Sequence, residues 1–575
     1  MLIVMADTPS RARRHTRQAA ALALALLAPG CLGRAHPPAS PAGSPVAEVA
    51  DVPKVPLFAG LGAHGRRVTT TSPEAQRYFD QGLSFVYAFN HDEAIRSFTR
   101  ATELDPSCAM AWWGIALANG PHINNPVVPP ERARAAWNAI ERARALDAGG
   151  TPVERALIAA QATRWADPPP ADRTPLDDAY AAAMREVWRQ FPDDADVGAL
   201  YAEAMMDLRP WDLWTPDGKP QPGTVEITTT LETVMAKSPT HPLALHLYIH
   251  ATEMSPNPER ADAAADRLRD LTPGLGHLVH MPSHIDVRRG RWQQAIVANE
   301  KAMAADRSYR AVQPRQGFYG LYVAHNHHML AYAAMMTGQS ALAIRAMDEL
   351  VATMPTDWAQ EFSAIADGFQ VMPLEVRMRF GRWEEVLAAP DYPAHFPIAR
   401  TLRHYARGVA YAATGRSAEA RAEHAAFRRA QAAVPADAFF GNNGAAALLA
   451  VAEPLLEGEI LYRENKVTDG LAALRTAVTH EDRLRYDEPP DWIQPVRHVL
   501  GATLLDQGRY VEAERVYRQD LEKLPGNAWA LFGLGHSLRL QGRHAEAAEV
   551  EAQFAVAWAK ADVQLHSSCF CLPGR

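Results

Sequence analysis

The sequence runs to 575 residues, 48% apolar and 22% charged, with a net charge of −8. That is globular composition at a length suited to several domains or one long repeat array. The mild acidity argues against a nucleic-acid partner, which calls for a basic stripe, and no nucleic-acid-binding motif is present.

Residues 1–35 read as a targeting segment. Arg11, Arg13, Arg14 and Arg17 precede the apolar run AAALALALLA (19–28) and then Pro29-Gly30-Cys31. A basic region, a short apolar core and a small-residue end predict a secretory signal rather than a membrane span. LLAPGC resembles a bacterial lipoprotein box with Cys31 as the lipidated residue, although Ala28 and Pro29 depart from the usual pattern. The expectation is an exported protein, periplasmic or anchored to the envelope, touching membrane only through that lipid. Residues 36–71, rich in Pro, Ala and Ser at their start, read as a disordered tether. GLGAHG (60–65) matches a dinucleotide fingerprint, but it follows linker rather than a strand and is discounted.

From residue 72 the pattern is helical. Ser72-Pro73-Glu74 and Thr151-Pro152-Val153-Glu154 mark helix starts, the second as a capping box. Tyr78, Gly82, Phe85, Ala94, Phe98, Ala101 and Pro106 then recur in register as Gly501, Gly508, Tyr510, Ala513, Tyr517 and Pro525, and as Gly535, Gly542 and Ala547. This pattern resembles the tetratricopeptide (TPR) repeat, two antiparallel helices in 34 residues. The resemblance implies an all-α, TPR-type α-solenoid of antiparallel helix pairs with a concave groove. Three blocks follow: N-terminal repeats over 72–195, central repeats over 196–390 and C-terminal repeats over 391–560. The tail, 561–575, holds Cys569 and Cys571 and reads as frayed, with no disulfide framework.

In TPR proteins positions 2, 5, 9, 12 and 13 of each first helix line the groove, one stripe by spacing. Registers set on turn and second-helix landmarks place His246 and His250 at 5 and 9, with Glu253 at 12. The next repeat puts His277, His280 and His284 at 2, 5 and 9, and the third puts His325 and His328 at 2 and 5. Seven of fifteen groove positions are histidine, where 22 histidines in 575 residues would place fewer than one. Glu203 and Asp207 fall on the groove before this set, and Glu375 and Arg379 after it. Further on the groove turns apolar at Leu402, Tyr405 and Val409. Pro282 sits inside a first helix and should break or kink it. Long segments at 120–130, 209–223 and 308–320 form a candidate lid, from which His122 and Asn124 could reach the site.

Histidines with carboxylates and no cysteine suit a divalent transition metal: Zn, Cu, Fe or Ni. Seven exceed one shell, so either two ions bind or some groups orient the ligands. An open position would lower the pKa of bound water, with Glu203 or Glu253 as base, or support oxidation by dioxygen. Two alternatives stand beside this: a metal-free groove gripping a peptide or protein, and metal storage or transfer. HMPSHI, HLYIHATE and HNHHML resemble a group of exported bacterial TPR proteins with ligand-like histidines, which implies a site but no substrate.

Overall fold

Local chemistry starts the helices where the sequence places them. Ser72 accepts the amide of Ala75 at 3.1 Å ahead of Pro73, and Thr151 and Glu154 close a reciprocal capping box. The computed structural model describes residues 55–572, which form one compact unit of helix pairs. The strand pairing among the described residues is a two-residue bridge, Phe439–Phe440 against Asn443–Gly444. No helix among them is long and apolar enough to cross a membrane. The expected signal over 1–35, with Cys31, and residues 36–54 lie outside the described residues.

The recurring glycines let helices approach a single aromatic ring. A Cβ on Gly82 or Gly114 would stand 2.6–2.7 Å from the ring of Phe98, and one on Gly501 or Gly533 within 2.4 Å of Tyr517. One ring thus fills the space between three helices at each end of the array, and burying an aromatic contributes about 1.5–3 kcal/mol. Pairs such as Pro73–Tyr87 with His91–Leu104 and Gly320–Met336 with Ser340–Thr353 stack in this way through 557.

The array closes on itself. Trp529 donates its indole N–H to the carbonyl of Met335 (2.7 Å), and Trp292 donates to Pro525 (3.0 Å). Asp562 caps Ser340–Thr353 by accepting the amides of Ser340 and Ala341 at 2.7 and 2.8 Å. The tail therefore packs instead of fraying: Phe570 stands edge-on to Trp529, centroids 5.7 Å apart.

Residues 55–71, expected as tether, are built into the fold. Thr69 donates its amide and hydroxyl to Glu154, at 2.6 and 2.7 Å, and Gly60 accepts the amide of Gly274 at 2.8 Å. Asp196 is the main clasp. It accepts from Arg66 (2.9 Å) and the Tyr87 hydroxyl (2.6 Å), and pairs with His64 and His241 at 3.0 Å each. Arg66 also holds Asp194 at 2.8 and 2.9 Å, so losing Asp196 strands chiefly the Tyr87 hydroxyl and His241. Asp196→Ala is expected to lower unfolding stability by about 1–3 kcal/mol in denaturant titration, and to make residues 55–71 a preferred site of limited proteolysis.

Candidate metal centre

Three first helices, Pro242–Glu253, Gly276–Arg288 and Gly320–Met336, present the histidine stripes. Pro282 interrupts the middle one at Met281, where Gly276–His280 gives way to Pro282–Arg288. Across the break His280 and His284 stay together with His325, and His277 joins His246 and His250.

Six histidines form two trios. His246, His250 and His277 bring one ring nitrogen each within 4.8 Å of one another, and so do His280, His284 and His325. All are buried except His325, which is half-buried. Hydrogen bonds fix which nitrogen carries the proton. Nδ1 of His246 faces the carbonyl of Tyr87 (2.8 Å) and must donate, leaving Nε2 a bare lone pair. Nδ1 of His250 donates to Glu253 Oε1 at 2.8 Å, and Nδ1 of His284 donates to Glu253 Oε2. Nδ1 of His280 donates to Asn299 Oδ1 at 2.6 Å, whose amide nitrogen is itself spent on the carbonyl of Ala295.

The Nε2 atoms left over point at one another. Nε2 of His280 and His284 stand 2.7 Å apart, with Nε2 of His325 3.4 Å from that of His284. In the first trio, Nε2 of His246, Nε2 of His250 and both nitrogens of His277 have no hydrogen-bond partner among the described residues. Each such buried orphan costs about 1–3 kcal/mol. Tetrahedral Zn–N bonds of 2.0–2.1 Å set neighbouring nitrogens about 3.3 Å apart; His284 and His325 stand at 3.4 Å, while His280 and His284, at 2.7 Å, would part slightly around an ion. A divalent ion on each trio would satisfy these lone pairs, and the residues present fit one.

Burial, and then the neighbouring imidazoles, hold His246, His277, His280 and His325 well below the ordinary histidine range, so these rings are neutral. His284 goes the other way: burial would lower it, but the Glu253 carboxylate outweighs burial and raises it. Burial would raise Glu253, but His284 and His250 outweigh it and hold its carboxyl down at about 2. Both of its oxygens are spent on imidazoles, so Glu253 orients ligands instead of serving as a free base.

The remaining expected residues fall in different places. His328 lies apart from both trios, 5.7 and 5.8 Å from the rings of Phe369 and Phe440. Glu203 and Asp207 sit with Arg164, which pairs with Asp207 at 2.6 Å. Glu375 accepts from Gln494 at 2.9 Å, and Arg379 donates to His498 at 2.8 Å beneath Trp529, where the C-terminal pairs dock. None of these five belongs to a trio; for Glu375 and Arg379 the reason is that the array closes and they serve its contact with residues 494–498. His122 does approach: it stacks on Phe89 (4.3 Å), whose ring stands 4.4 Å from that of His246. Asn124 accepts the indole N–H of Trp211 at 3.1 Å, tying two of the long loops together beside His250.

A family model described as tetratricopeptide repeat matches residues 79–119 and 499–562. Those two stretches carry tetratricopeptide repeats. Human IFIT1, solved as a dimer with m7Gppp-AAAA, aligns at 12% identity over 85% of this chain and 91% of its own, with a TM-score of 0.32. Yeast Tom70 aligns at 10% identity over 86% and 91%, with a TM-score of 0.26. No curated protein matches the chain.

The TPR register gave the stripes but missed their surroundings. Phe89, at φ +56° in a turn, lies among the rings of the first trio, and Asn299 comes from a second helix. Neither carries a ligand-like signal in sequence. His64, Asp196 and His241 also went unseen, because they are joined from three separate segments.

Glu203 provides a measurable consequence. Burial and then the Asp207 charge push its carboxyl above the usual range. A raised carboxyl favours folding most below its unfolded value, about 4.3, and that contribution is lost as pH rises through the folded value. Glu203→Gln is expected to raise Tm by a few degrees at pH 8 and to leave it unchanged near pH 4.5, as read by thermal melts across pH.

Proposed function

We propose that the chain is a transition-metal protein with two neighbouring three-histidine centres, one on His246, His250 and His277 and one on His280, His284 and His325. The observation that carries this is the facing pair His280 Nε2 and His284 Nε2. Their Nδ1 atoms are committed to Asn299 and Glu253, so both Nε2 atoms turn inward and converge with that of His325 at 2.7 and 3.4 Å, where a cation would displace the proton they share. Imidazole without thiolate suits Zn, Cu, Fe or Ni.

Three protein ligands leave at least one position open on an ion. An open position supports hydrolysis through bound water on Zn, or dioxygen chemistry on Cu or Fe. A void with room for about one water, lined by Ile123, Met206, Trp211, Leu213, His250 and Glu253, borders the first trio. The basic and apolar run at 11–28 supports export, with Cys31 as the residue for a lipid anchor. A protein partner fits the repeats' outer faces better than their inner stripes, since the histidines are covered by the chain itself.

Protein made without a histidine tag or metal column is expected to hold about two ions per chain by elemental analysis. His246→Ala with His277→Ala should leave about one, His280→Ala with His284→Ala about one, and all four changes none. Wild-type protein with under about 0.2 ion per chain after incubation with each candidate metal would sink the reading.

Trp211 closes the void from its φ +56° position and is held by Asn124. If it gates entry, Trp211→Ala should speed removal of metal by a chelator at least about tenfold with unchanged stoichiometry, measured by stopped-flow absorbance of the chelate.

A further inference from the structure

Cys569 and Cys571 form a disulfide near the end of the described chain. A bridge across one intervening residue closes almost no loop, so it contributes little as a staple. The sulfurs are nonetheless held in a fixed place. Ser568 donates its hydroxyl to the carbonyl of His498 (2.8 Å) and shares a hydrogen bond with the Tyr517 hydroxyl (2.6 Å). The carbonyl of Cys571 accepts from Arg463, and Cys571 packs with Tyr462, Ala502 and Leu572.

One acidic group faces this bridge. Glu459, 3% exposed on the helix Ala445–Arg463, has a carboxylate oxygen within 4.8 Å of both sulfurs. It makes no hydrogen bond or ion pair among the described residues, and its electrostatic partner is Arg463. A buried carboxyl left without a partner is costly, and placing it at a disulfide gives it one chemical use, moving the proton that thiol exchange requires. The only other described cysteine, Cys108, is free and buried elsewhere.

We propose that Cys569 and Cys571 are a redox-active pair that oxidises an external dithiol, with Glu459 as the proton donor and acceptor. Cys569 is partly exposed and Cys571 is 2% exposed, so the incoming thiolate meets Cys569 Sγ. Attack forms a mixed disulfide; the S–S bond breaks and its electron pair goes to Cys571 Sγ, which takes the Glu459 proton. The second thiol of the partner gives its proton to the Glu459 carboxylate and attacks its own sulfur in the mixed disulfide. Cys569 leaves as thiolate and takes from water the proton that the first thiol shed. The partner departs as a disulfide, two electrons and two protons poorer, and the chain holds both thiols. Burial, which pushes the Glu459 carboxyl up to about 7, suits it to both halves of the cycle.

The test uses the full chain, native, with dithiothreitol as the dithiol and alkylation followed by peptide mass as the readout. The expected result is reversible two-electron reduction of 569–571, slowed at least about tenfold at pH 7 by Glu459→Gln and largely restored by Glu459→Asp. Cys569→Ser, with native circular dichroism and unchanged metal content, shows that fold and histidine centres are independent of the pair. Two results overturn the proposal: a 569–571 bridge that reduced dithiothreitol leaves intact in the native chain, or a Glu459→Gln chain reduced at the wild-type rate.

Discussion

Glu253 is the group on which the inner architecture turns. One carboxylate, 1% exposed, takes the Nδ1 protons of His250 and His284, which belong to different trios. Those two bonds commit each Nδ1 to the carboxylate and so turn each Nε2 inward. They also tie the 242–253 helix to the 276–288 segment at the point where Pro282 has weakened the backbone ladder. A polar network of this kind is stable only if every member is served. The unserved members are the inward ring nitrogens of the first trio.

The fold was legible because its grammar is local and periodic. Gly82, Phe98 and their C-terminal counterparts Gly501 and Tyr517 repeat at fixed spacing, and each packs as that spacing requires. The histidine stripes were legible for the same reason, since spacings of three and four put side chains on one helical face. His328 shows the limit of that logic. It shares the stripe with His325, but one further turn carries it past the pocket to Phe369 and Phe440. A stripe gives direction around a helix, and distance along it depends on how the neighbours are staggered.

What the sequence hid is whatever comes from far away in the chain. Residues 55–71 look like linker by composition, yet Arg66 and His64 meet Asp196 about 130 residues on. Glu375 and Arg379 look like an extension of the polar groove, yet they meet residues 494–498 across the closure. Such contacts depend on superhelical pitch, which no single repeat encodes. The same closure explains why an inward stripe that resembles a peptide groove is filled by its own chain.

Repeat arrays usually behave as one-dimensional stacks whose stability is a sum of neighbouring terms, so that end repeats fray first. The contacts of Trp529 with Met335, Trp292 with Pro525 and Asp562 with Ser340 link the far end of the array to its middle. The C-terminal pairs therefore have no free end from which to unravel. Their loss removes packing from repeats some two hundred positions earlier in the chain, which makes the array behave in unfolding less like a string of beads than like an arch held by its last stone.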